Sequence, residues 1–455
     1  MKFLQWITLT CTVLIVSCTS LFCNMAYVTN EGSNTISVIN TATNTVAATI
    51  IVGATPIIVA ITPDGKTAYV ANGGSNTVSV INTATNTVTA TIGVGSNPTI
   101  LAITPDGKTA YVINRNDNSV SAINLATNTV TATIGVGVSP FFLTITPDGK
   151  TAYVTNEDSN TVSVINIATN TIITTLAVGT LPRFIAITPN GTTAYVTNEN
   201  SNTVSVINTA TNLVTASIGV GIKPFDIAIT PDGKTAYVTN LDSDTVSAIN
   251  TATNSVSVTI GVSGSRPKLL EITPDGKTVY LAYEDISFVT AINTATNLVT
   301  DTIEVGPAPA VLAITPDSKT VYVPNSDNNT VSVIDTATNR VVATIGVGSQ
   351  PLAITITSNP QPPHSLAGKK KKDIFATQTD RINVITWSAP SEGISPVRYK
   401  IYRDAALTNL AGMVSASNAL KFEDHNRKNH TVYSYYIVSE DLNGGLSTAA
   451  SISIS

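Results

Sequence analysis

The stretch that decides the fold is residues 96–137, SNPTILAITPDGKTAYVINRNDNSVSAINLATNTVTATIGVG, which divides into four strand-length pieces. The pieces are TILAIT (99–104), TAYVI (109–113), SVSAIN (119–124) and TVTATI (129–134). Their Val, Ile, Thr and Tyr content and their length are typical of β-strands. Between the first two lies Pro-Asp-Gly-Lys, in which Pro presets φ and Gly takes the positive φ of a tight turn. The segment therefore predicts four short antiparallel strands.

This unit repeats along most of the chain of 455 residues. Its Tyr recurs at positions 27, 69, 111, 153, 195, 237, 280 and 322, so six intervals are 42 residues and one is 43. Four strands in about 40–50 residues is the size of one blade of a β-propeller. A parallel β-helix would need a much shorter period per coil. We therefore predict an all-β chain in which the blades pack face to face around an axis.

The two ends of the repeat region predict the number of blades. The chain enters at a second strand, AYVT at 26–29, and leaves the repeats after a lone first strand, LAITIT at 352–357. Each of the four strand types then occurs eight times. We expect the last strand to complete the blade begun at the N-terminus, which gives eight blades with shared-strand ring closure. A seven-bladed ring with one displaced unit is the alternative.

The repeat closely resembles the YVTN family of β-propeller repeats over residues 26–357. The motifs that carry the resemblance are YVTN at 153–156, 195–198 and 237–240, NTVSVIN at 160–166 and PDGK at 147–150. The resemblance implies a propeller on a secreted, surface-layer, cell-surface or periplasmic protein. Several relatives of this group bind ligands, and the related lactonase propellers are enzymes.

Residues 1–24 read as an export signal, with Lys2 before an apolar stretch at 7–16. The segment Ile-Val-Ser-Cys at 15–18 also fits a bacterial lipobox, which would make Cys18 a lipidated anchor. An ordinary cleaved signal and an uncleaved anchor are the alternatives. In each case we expect an extracytoplasmic protein that contacts the membrane only through this segment. All three Cys lie in the first 23 residues, so the mature repeat region has no disulfide.

The chain after the propeller (25–357) divides into a Pro- and Lys-rich linker, 358–373, and a small domain, 374–455. This last segment resembles a fibronectin type III domain, a small β-sandwich. In that resemblance Trp387 corresponds to the buried Trp of the second strand, Tyr399 to the inward Tyr of the third strand and Tyr433 to the tyrosine corner. Such domains act as spacers or adhesion modules.

The eight copies differ most beside the Pro that precedes the first strand, a place that we expect at one rim of the central channel. Four of the nine Phe residues and four cations fall there or close by in four successive copies. We call the predicted binding surface the rim arc; it consists of Phe141, Phe142, Arg183, Phe184, Lys223, Phe225, Asp226, Arg266, Lys268 and Glu271. Basic and aromatic side chains together suit an anionic or planar ligand. Gap-filling Phe residues and solvated cations are the alternative reading.

The composition excludes several chemistries from the repeats. All three His residues lie at or beyond position 364, so the repeats lack both His and Cys, which most nucleophilic triads and zinc sites use. Asp226 and Glu271 are the one pair of carboxylates predicted near the channel, and two separately solvated or salt-bridged acids are the alternative reading. The absence of His favours a protein without catalytic activity, cofactor or metal. A hydrolase resembling the lactonases and a structural surface-layer element are the alternatives.

Charge limits the partners. Residues 26–357 contain 12 Lys and Arg against 21 Asp and Glu, which argues against binding of duplex nucleic acid. We expect a monomeric binding or adhesion protein of the cell envelope whose rim meets a protein, a glycan or another anionic ligand. Single-stranded nucleic acid is a remote alternative.

Overall fold

The computed structural model describes residues 24–283 and 286–357 and, beyond these, residues 364–374, 379–388, 398–403, 407, 409–415, 421–424, 433–440 and 450–454. The propeller strands follow the repeat in chain order. The first three are β1 (Met25–Asn30), β2 (Thr35–Asn40) and β3 (Thr45–Ile51). Blade 2 contains β4 (Pro56–Ile61), β5 (Thr67–Asn72), β6 (Thr77–Asn82) and β7 (Thr87–Gly93). Blade 3 contains β8 (Pro98–Ile103), β9 (Thr109–Asn114), β10 (Ser119–Asn124) and β11 (Thr129–Gly135).

The next three blades follow the same order. Blade 4 contains β12 (Pro140–Ile145), β13 (Thr151–Asn156), β14 (Thr161–Asn166) and β15 (Thr171–Ala177). Blade 5 contains β16 (Pro182–Ile187), β17 (Thr193–Asn198), β18 (Thr203–Asn208) and β19 (Leu213–Gly219). Blade 6 contains β20 (Pro224–Ile229), β21 (Thr235–Asn240), β22 (Thr245–Asn250) and β23 (Ser255–Gly261). Two short 3₁₀ helices, Arg115–Asp117 and Glu199–Ser201, follow β9 and β17.

The last two blades complete the ring. Blade 7 contains β24 (Pro267–Ile272), β25 (Thr278–Tyr283), β26 (Phe288–Asn293) and β27 (Leu298–Glu304). Blade 8 contains β28 (Ala313–Ile314), β29 (Thr320–Asn325), β30 (Thr330–Asp335) and β31 (Arg340–Gly346). The strand β32 (Pro351–Ile356) then pairs with β1, so that blade 1 has the order β3-β2-β1-β32. The predicted eight blades and shared-strand closure are thereby confirmed.

Neighbouring blades are joined by a hydrogen bond that recurs at every interface. The hydroxyl of the repeat Tyr donates to the Oδ1 of an Asn in the turn between the third and fourth strands of the next blade. Tyr69 bonds Asn128 at 2.8 Å, for example. Tyr322 of blade 8 bonds Asn44 of blade 1 at 2.7 Å, so the closing interface has the same contact as the others. Since these Tyr rings are fully buried, the bond also satisfies the hydroxyl.

Burial depends on the place of a strand within its blade. The second and third strands are buried along nearly their whole length, as in β5 and β6, because the blades on either side cover both faces. The fourth strand, such as β7, is mostly exposed, which explains its Thr-rich sequence. The buried Ser79 of β6 accepts a hydrogen bond from Asn72 Nδ2 at 3.0 Å. The Ser–Val alternation of the third strand therefore reflects this bond and not contact with solvent.

Blade 7, the unit with the 43-residue interval, is adapted around one larger side chain. Tyr283 stands where most blades have Asn, is fully buried and bonds the Thr290 hydroxyl at 2.6 Å. A Cβ on Gly264 would lie 2.5 Å from the Tyr283 ring, whereas the corresponding Gly221 abuts the smaller Asn240. The inserted residue near Gly264 thus accompanies the larger ring.

Blade 8 has an interrupted innermost strand, since β28 contains only two residues. Pro324 lies in β29 where other blades have Thr, Ala or Ile, and its carbonyl accepts the Ala310 N–H at 2.8 Å. Because Pro324 has no N–H to donate to the innermost strand, the ladder of hydrogen bonds between the two strands is broken at this point. The Val311 N–H instead donates to the Leu352 carbonyl of β32 at 3.2 Å.

Seven more strands follow the propeller: β33 (His364–Ile374), β34 (Thr379–Ser388), β35 (Arg398–Tyr402), β36 (Leu410–Ser415), β37 (Lys421–Asp424), β38 (Tyr433–Glu440) and β39 (Ala450–Ile454). They form two antiparallel sheets, β33-β34-β37 and β36-β35-β38-β39. The basic run at 369–372, predicted as part of the linker, lies within β33. Tyr399 is fully buried.

Residues 1–23 of the predicted export signal, with Cys18, fall outside the described residues. None of the helices in the described part of the chain is long and apolar enough to cross a membrane.

Candidate functional site

The innermost strands β12, β16, β20 and β24 carry the rim arc at or near their starts. The residue before each strand-opening Pro has left-handed backbone, with φ between 51° and 56° in all eight blades. Hydrogen bonds hold this conformation: the Lys223 N–H donates to Asn202 Oδ1, and the Lys223 carbonyl accepts the Leu241 N–H, each at 2.9 Å. Because blades outside the arc share the geometry, it belongs to the repeat. The side chains alone distinguish the arc.

The four Phe side chains form one cluster across blades 4, 5 and 6. The Phe141 ring packs edge-on against Phe184 and Phe225, with centroids 5.4 and 6.1 Å apart. Phe184 also lies 4.7 Å from Phe142 and 5.3 Å from Phe225. Phe141, Phe142 and Phe184 are half-buried and Phe225 is buried. Contacts of this kind contribute roughly 0.5–1.5 kcal/mol each beyond area burial, so the cluster is a defined wall at the rim.

Arg183 lies against this wall. Its guanidinium carbon is 4.9 Å from the Phe141 ring centroid and 5.6 Å from that of Phe225. The guanidinium also forms ion pairs with Glu157 and Glu199, and Glu157 forms a second ion pair with Arg115. Glu157 is only 3% exposed. Arg183 is therefore a half-buried cation whose charge is matched by carboxylates.

The cations of blades 6 and 7 are paired in the same way. Lys223 Nζ lies 2.6 Å from Asp242 Oδ2, and Arg266 Nη1 lies 3.0 Å from Asp242 Oδ1. Lys268 Nζ is 5.8 Å from the Phe225 ring centroid. Because carboxylates neutralise Arg183, Lys223 and Arg266, these cations contribute little net positive charge that could attract an anionic ligand to the rim arc. The predicted anionic or macromolecular partner of the arc stays a prediction.

Asp226 connects the innermost strands of blades 6 and 7. Its Oδ1 accepts the N–H of Ile227 at 2.8 Å, and its Oδ2 accepts the N–H of Leu270 at 2.9 Å. The residue is 8% exposed. Burial raises the pKa of Asp226 to about 6, although the two backbone hydrogen bonds favour its ionised form.

Glu271 stands on the next blade, at a place where most blades have Ala. Its side chain is exposed to solvent, although neighbouring protein atoms partly desolvate its carboxyl group. This desolvation, followed by repulsion from Asp226, raises the pKa of Glu271 to about 8. The structure thus brings together the two carboxyl groups that the sequence singled out. Both carboxyl groups have pKa values above the ordinary range, and that of Glu271 is the higher of the two.

The sequence alone did not reveal the acidic residues that pair with the cations of the rim arc, which are Glu157, Glu199 and Asp242, nor Arg115 beside them. Glu157, Glu199 and Arg115 directly follow the last Asn of a second strand, a place that also varies between copies. The end of the second strand pairs with the start of the first, so both lie at the same rim, as the Pro140–Asn156 pair shows. Within the described ranges, no three His, Cys, Asp or Glu side chains gather as a metal site.

These features define a class of protein, an eight-bladed β-propeller with a carboxyl pair and an aromatic wall at one rim. A family model described as "Lactonase, 7-bladed beta-propeller" matches residues 23–131, 59–176 and 173–302, which together cover more than half of the chain. The chain belongs to this lactonase family. It differs from the family description in having eight blades.

Solved structures share the architecture. Hydrazine synthase of Kuenenia stuttgartiensis is 25% identical, with a TM-score of 0.53 over 62% of this chain and 96% of that one. Dihydro-heme d1 dehydrogenase NirN in complex with DHE is 15% identical, with a TM-score of 0.65 over 73% and 74%. A protein of unknown function from Desulfotomaculum acetoxidans DSM 771 is 18% identical, with a TM-score of 0.53 over 73% and 98%. No curated protein matches significantly.

The family membership overturns the prediction that the chain is not an enzyme. That prediction was wrong because it treated missing His and Cys as missing catalytic capacity. Carboxyl groups with raised pKa values can transfer protons near neutral pH without either residue. The lactonase family is named for an enzymatic activity.

Proposed function

We propose that the protein hydrolyses a small cyclic ester at the mouth of the channel, with Asp226 and Glu271 as the acid–base pair. The observation that carries this proposal is the pairing of two carboxyl groups from adjacent blades with pKa values raised to about 6 and about 8. Two carboxyls whose environments separate their titrations can act as base and acid in one site. Family membership supplies the substrate class, a lactone.

In the proposed reaction Asp226 acts as a carboxylate and Glu271 as a carboxylic acid. The Asp226 carboxylate takes a proton from a water molecule while the oxygen of that water bonds to the lactone carbonyl carbon. Glu271 gives its proton to the ring oxygen as the ring C–O bond breaks, and the product is an open hydroxy acid. Solvent in the channel then returns one proton to Glu271 and removes one from Asp226. The Ile227 and Leu270 N–H groups hold the Asp226 carboxylate in place during this cycle.

Hydrolysis of a lactone panel by the full chain tests the proposal. We expect turnover of at least one lactone and a fall in kcat of about 100-fold or more for Glu271→Gln and for Asp226→Asn. Asp64→Asn is the matched control, because Asp64 belongs to a turn between the first and second strands and bonds Thr62 and Lys66. Turnover that survives Glu271→Gln unchanged would contradict this assignment.

We further propose an extracytoplasmic location, supported by Lys2 and the apolar stretch at 7–16. Lipidation at Cys18 is the more specific form of this proposal. Mass spectrometry of the mature N-terminus separates the outcomes: an acylated Cys18, an unmodified N-terminus created by cleavage, or an intact Met1. The intact Met1 in a cytoplasmic fraction would contradict the location.

We propose that the strands after residue 364 form a fibronectin type III-like module. The division of seven strands into sheets of three and four, in the order β33-β34-β37 and β36-β35-β38-β39, supports this. A spacer role predicts that a chain ending at residue 363 retains full lactone turnover. Loss of turnover in a chain that remains folded would contradict it.

A further inference from the structure

The wall beside the carboxyl pair has a composition that the repeat does not require. Blade 4 has Phe141 and Phe142 where blade 2 has Ile57 and Ile58, and blade 6 has Phe225 next to Asp226. The Phe141, Phe184 and Phe225 rings contact one another across three blades. Both the aromatic wall and the general base therefore come from the start of the same innermost strands.

The charges at this rim act against a negatively charged ligand. Arg183 is already paired with Glu157 and Glu199, and Lys223 and Arg266 share Asp242. An added anion would compete with these built-in carboxylates for the same cations. It would also approach Asp226, whose negative charge repels it. A neutral ligand meets neither penalty.

The aromatic wall offers an uncharged ligand a favourable surface. Phe141, Phe142 and Phe184 are half-buried, so their rings keep faces or edges open at the rim. An aromatic ring placed on them gains both apolar burial and the edge-to-face contacts that the cluster already shows.

We propose that the ligand of this site is a neutral cyclic ester carrying an aromatic ring, which packs on Phe141 and Phe184 beside Asp226 and Glu271. This inference rests on the proposed lactone hydrolysis for the identity of the reacting group. The aromatic wall and the paired cations carry the rest.

Binding and turnover are measured separately, so that the two proposals can fail separately. The binding probe is 3,4-dihydroquinolin-2-one, an uncharged aromatic lactam that resists hydrolysis, compared with its 6-carboxylate by titration calorimetry on the full chain. We expect the neutral lactam to bind about tenfold more tightly, which corresponds to about 1.4 kcal/mol. Equal or tighter binding of the carboxylate would overturn the inference.

Variants locate the bound ring. Phe141→Ala is expected to weaken lactam binding about two- to tenfold, the range of one aromatic contact. Ile57→Ala, at the same position of blade 2, is the matched control and should change binding less than twofold. If Phe141→Ala fails to fold, Phe141→Leu keeps most of the volume and removes the ring. Unchanged binding in a folded Phe141 variant overturns the placement of the ligand.

Dihydrocoumarin, the hydrolysable counterpart of the lactam, completes the test. Phe141-dependent lactam binding without dihydrocoumarin hydrolysis supports the ligand class and removes the hydrolysis proposal. Hydrolysis that strongly prefers a phosphorylated or carboxylated lactone supports the reaction and overturns the ligand class. Hydrolysis of dihydrocoumarin with weaker turnover in Phe141→Leu supports both.

Discussion

In blade 2 the residues after the strand-opening Pro are Ile57 and Ile58, whereas in blade 6 they are Phe225 and Asp226. Both pairs start an innermost strand, follow a residue with left-handed backbone and lie beside a buried second strand. The backbone and its hydrogen bonds are common to the two blades. What differs is chemistry that the fold does not need, and this difference is the reason we propose blades 4–7 as the functional side of the propeller.

The largest effect that separates the two sides is expected from Arg183→Ala in blade 5. The substitution removes the cation shared by Glu157 and Glu199, while Arg115 still pairs with Glu157. We therefore expect a loss towards the lower end of the about 3–5 kcal/mol that is typical of a broken buried ion pair. Urea unfolding measures the change. Removing Glu157 as well, in Arg183→Ala with Glu157→Gln, should recover part of the loss. If the free energy of unfolding of Arg183→Ala lies within 1 kcal/mol of the wild-type value, the ion pairs of Arg183 do not behave as buried ion pairs.

A smaller effect tests whether the closing interface is equivalent to the others. Tyr322→Phe removes the hydrogen bond to Asn44, and Tyr69→Phe removes the corresponding bond to Asn128. Each loss is expected to lower the free energy of unfolding by about 1 kcal/mol. The two variants should agree within error. A much larger loss for Tyr322→Phe would make the closing blade the weak point of the ring.

The carboxyl pair also gives a pH dependence of stability that is opposite in sign to that of turn carboxyls such as Asp64 and Asp106, whose pKa values are lowered. A carboxyl with a raised pKa contributes its stability fully below its unfolded value, and this is lost as pH rises through the folded value. For Asp226 and Glu271 this stability is lost as the pH rises from the unfolded pKa values to the folded pKa values of about 6 and about 8. Wild type should therefore lose thermal stability between pH 5 and pH 9 relative to Glu271→Gln. The effect is modest because Glu271 is open to channel solvent. Parallel curves for the two proteins would contradict the raised pKa.

The smallest effect is expected at the turns between first and second strands, where Lys66 Nζ lies 3.5 Å from Asp64 Oδ2 and the Lys side chain is 77% exposed. Exposed pairs of this kind contribute about 0–1 kcal/mol. Lys66→Ala should therefore leave the urea midpoint nearly unchanged, in contrast to Arg183→Ala. A loss comparable to that of Arg183→Ala would remove the distinction between surface and rim ion pairs.

The repeated positions made the fold predictable, because each constant residue has one local task. Tyr69 bonds the next blade, Gly107 closes a turn with φ of +68°, and the phase of residues 26–29 and 352–357 determines ring closure. The left-handed backbone at Leu181 and Lys223 was not predictable, because these residues do not favour it and only the surrounding hydrogen bonds enforce it.

The site was predictable in part. Variation between copies located Phe141, Arg183, Asp226 and Glu271. It did not reveal that Glu157 and Glu199 neutralise the cations, since that requires knowing which loops meet at the rim. Nor could residue types alone show that the pKa values of Asp226 and Glu271 are raised. The prediction of a non-enzyme failed because the family match points to an enzymatic propeller family.

The pH dependence of lactone hydrolysis tests the central claim most directly. If Asp226 and Glu271 are the base and the acid, kcat/KM should rise through about pH 6, fall through about pH 8, and lose its alkaline limb in Glu271→Gln along with most of its magnitude. A rate that is flat from pH 5 to pH 9, or a bell-shaped profile that survives in Glu271→Gln, would place the chemistry elsewhere on the ring.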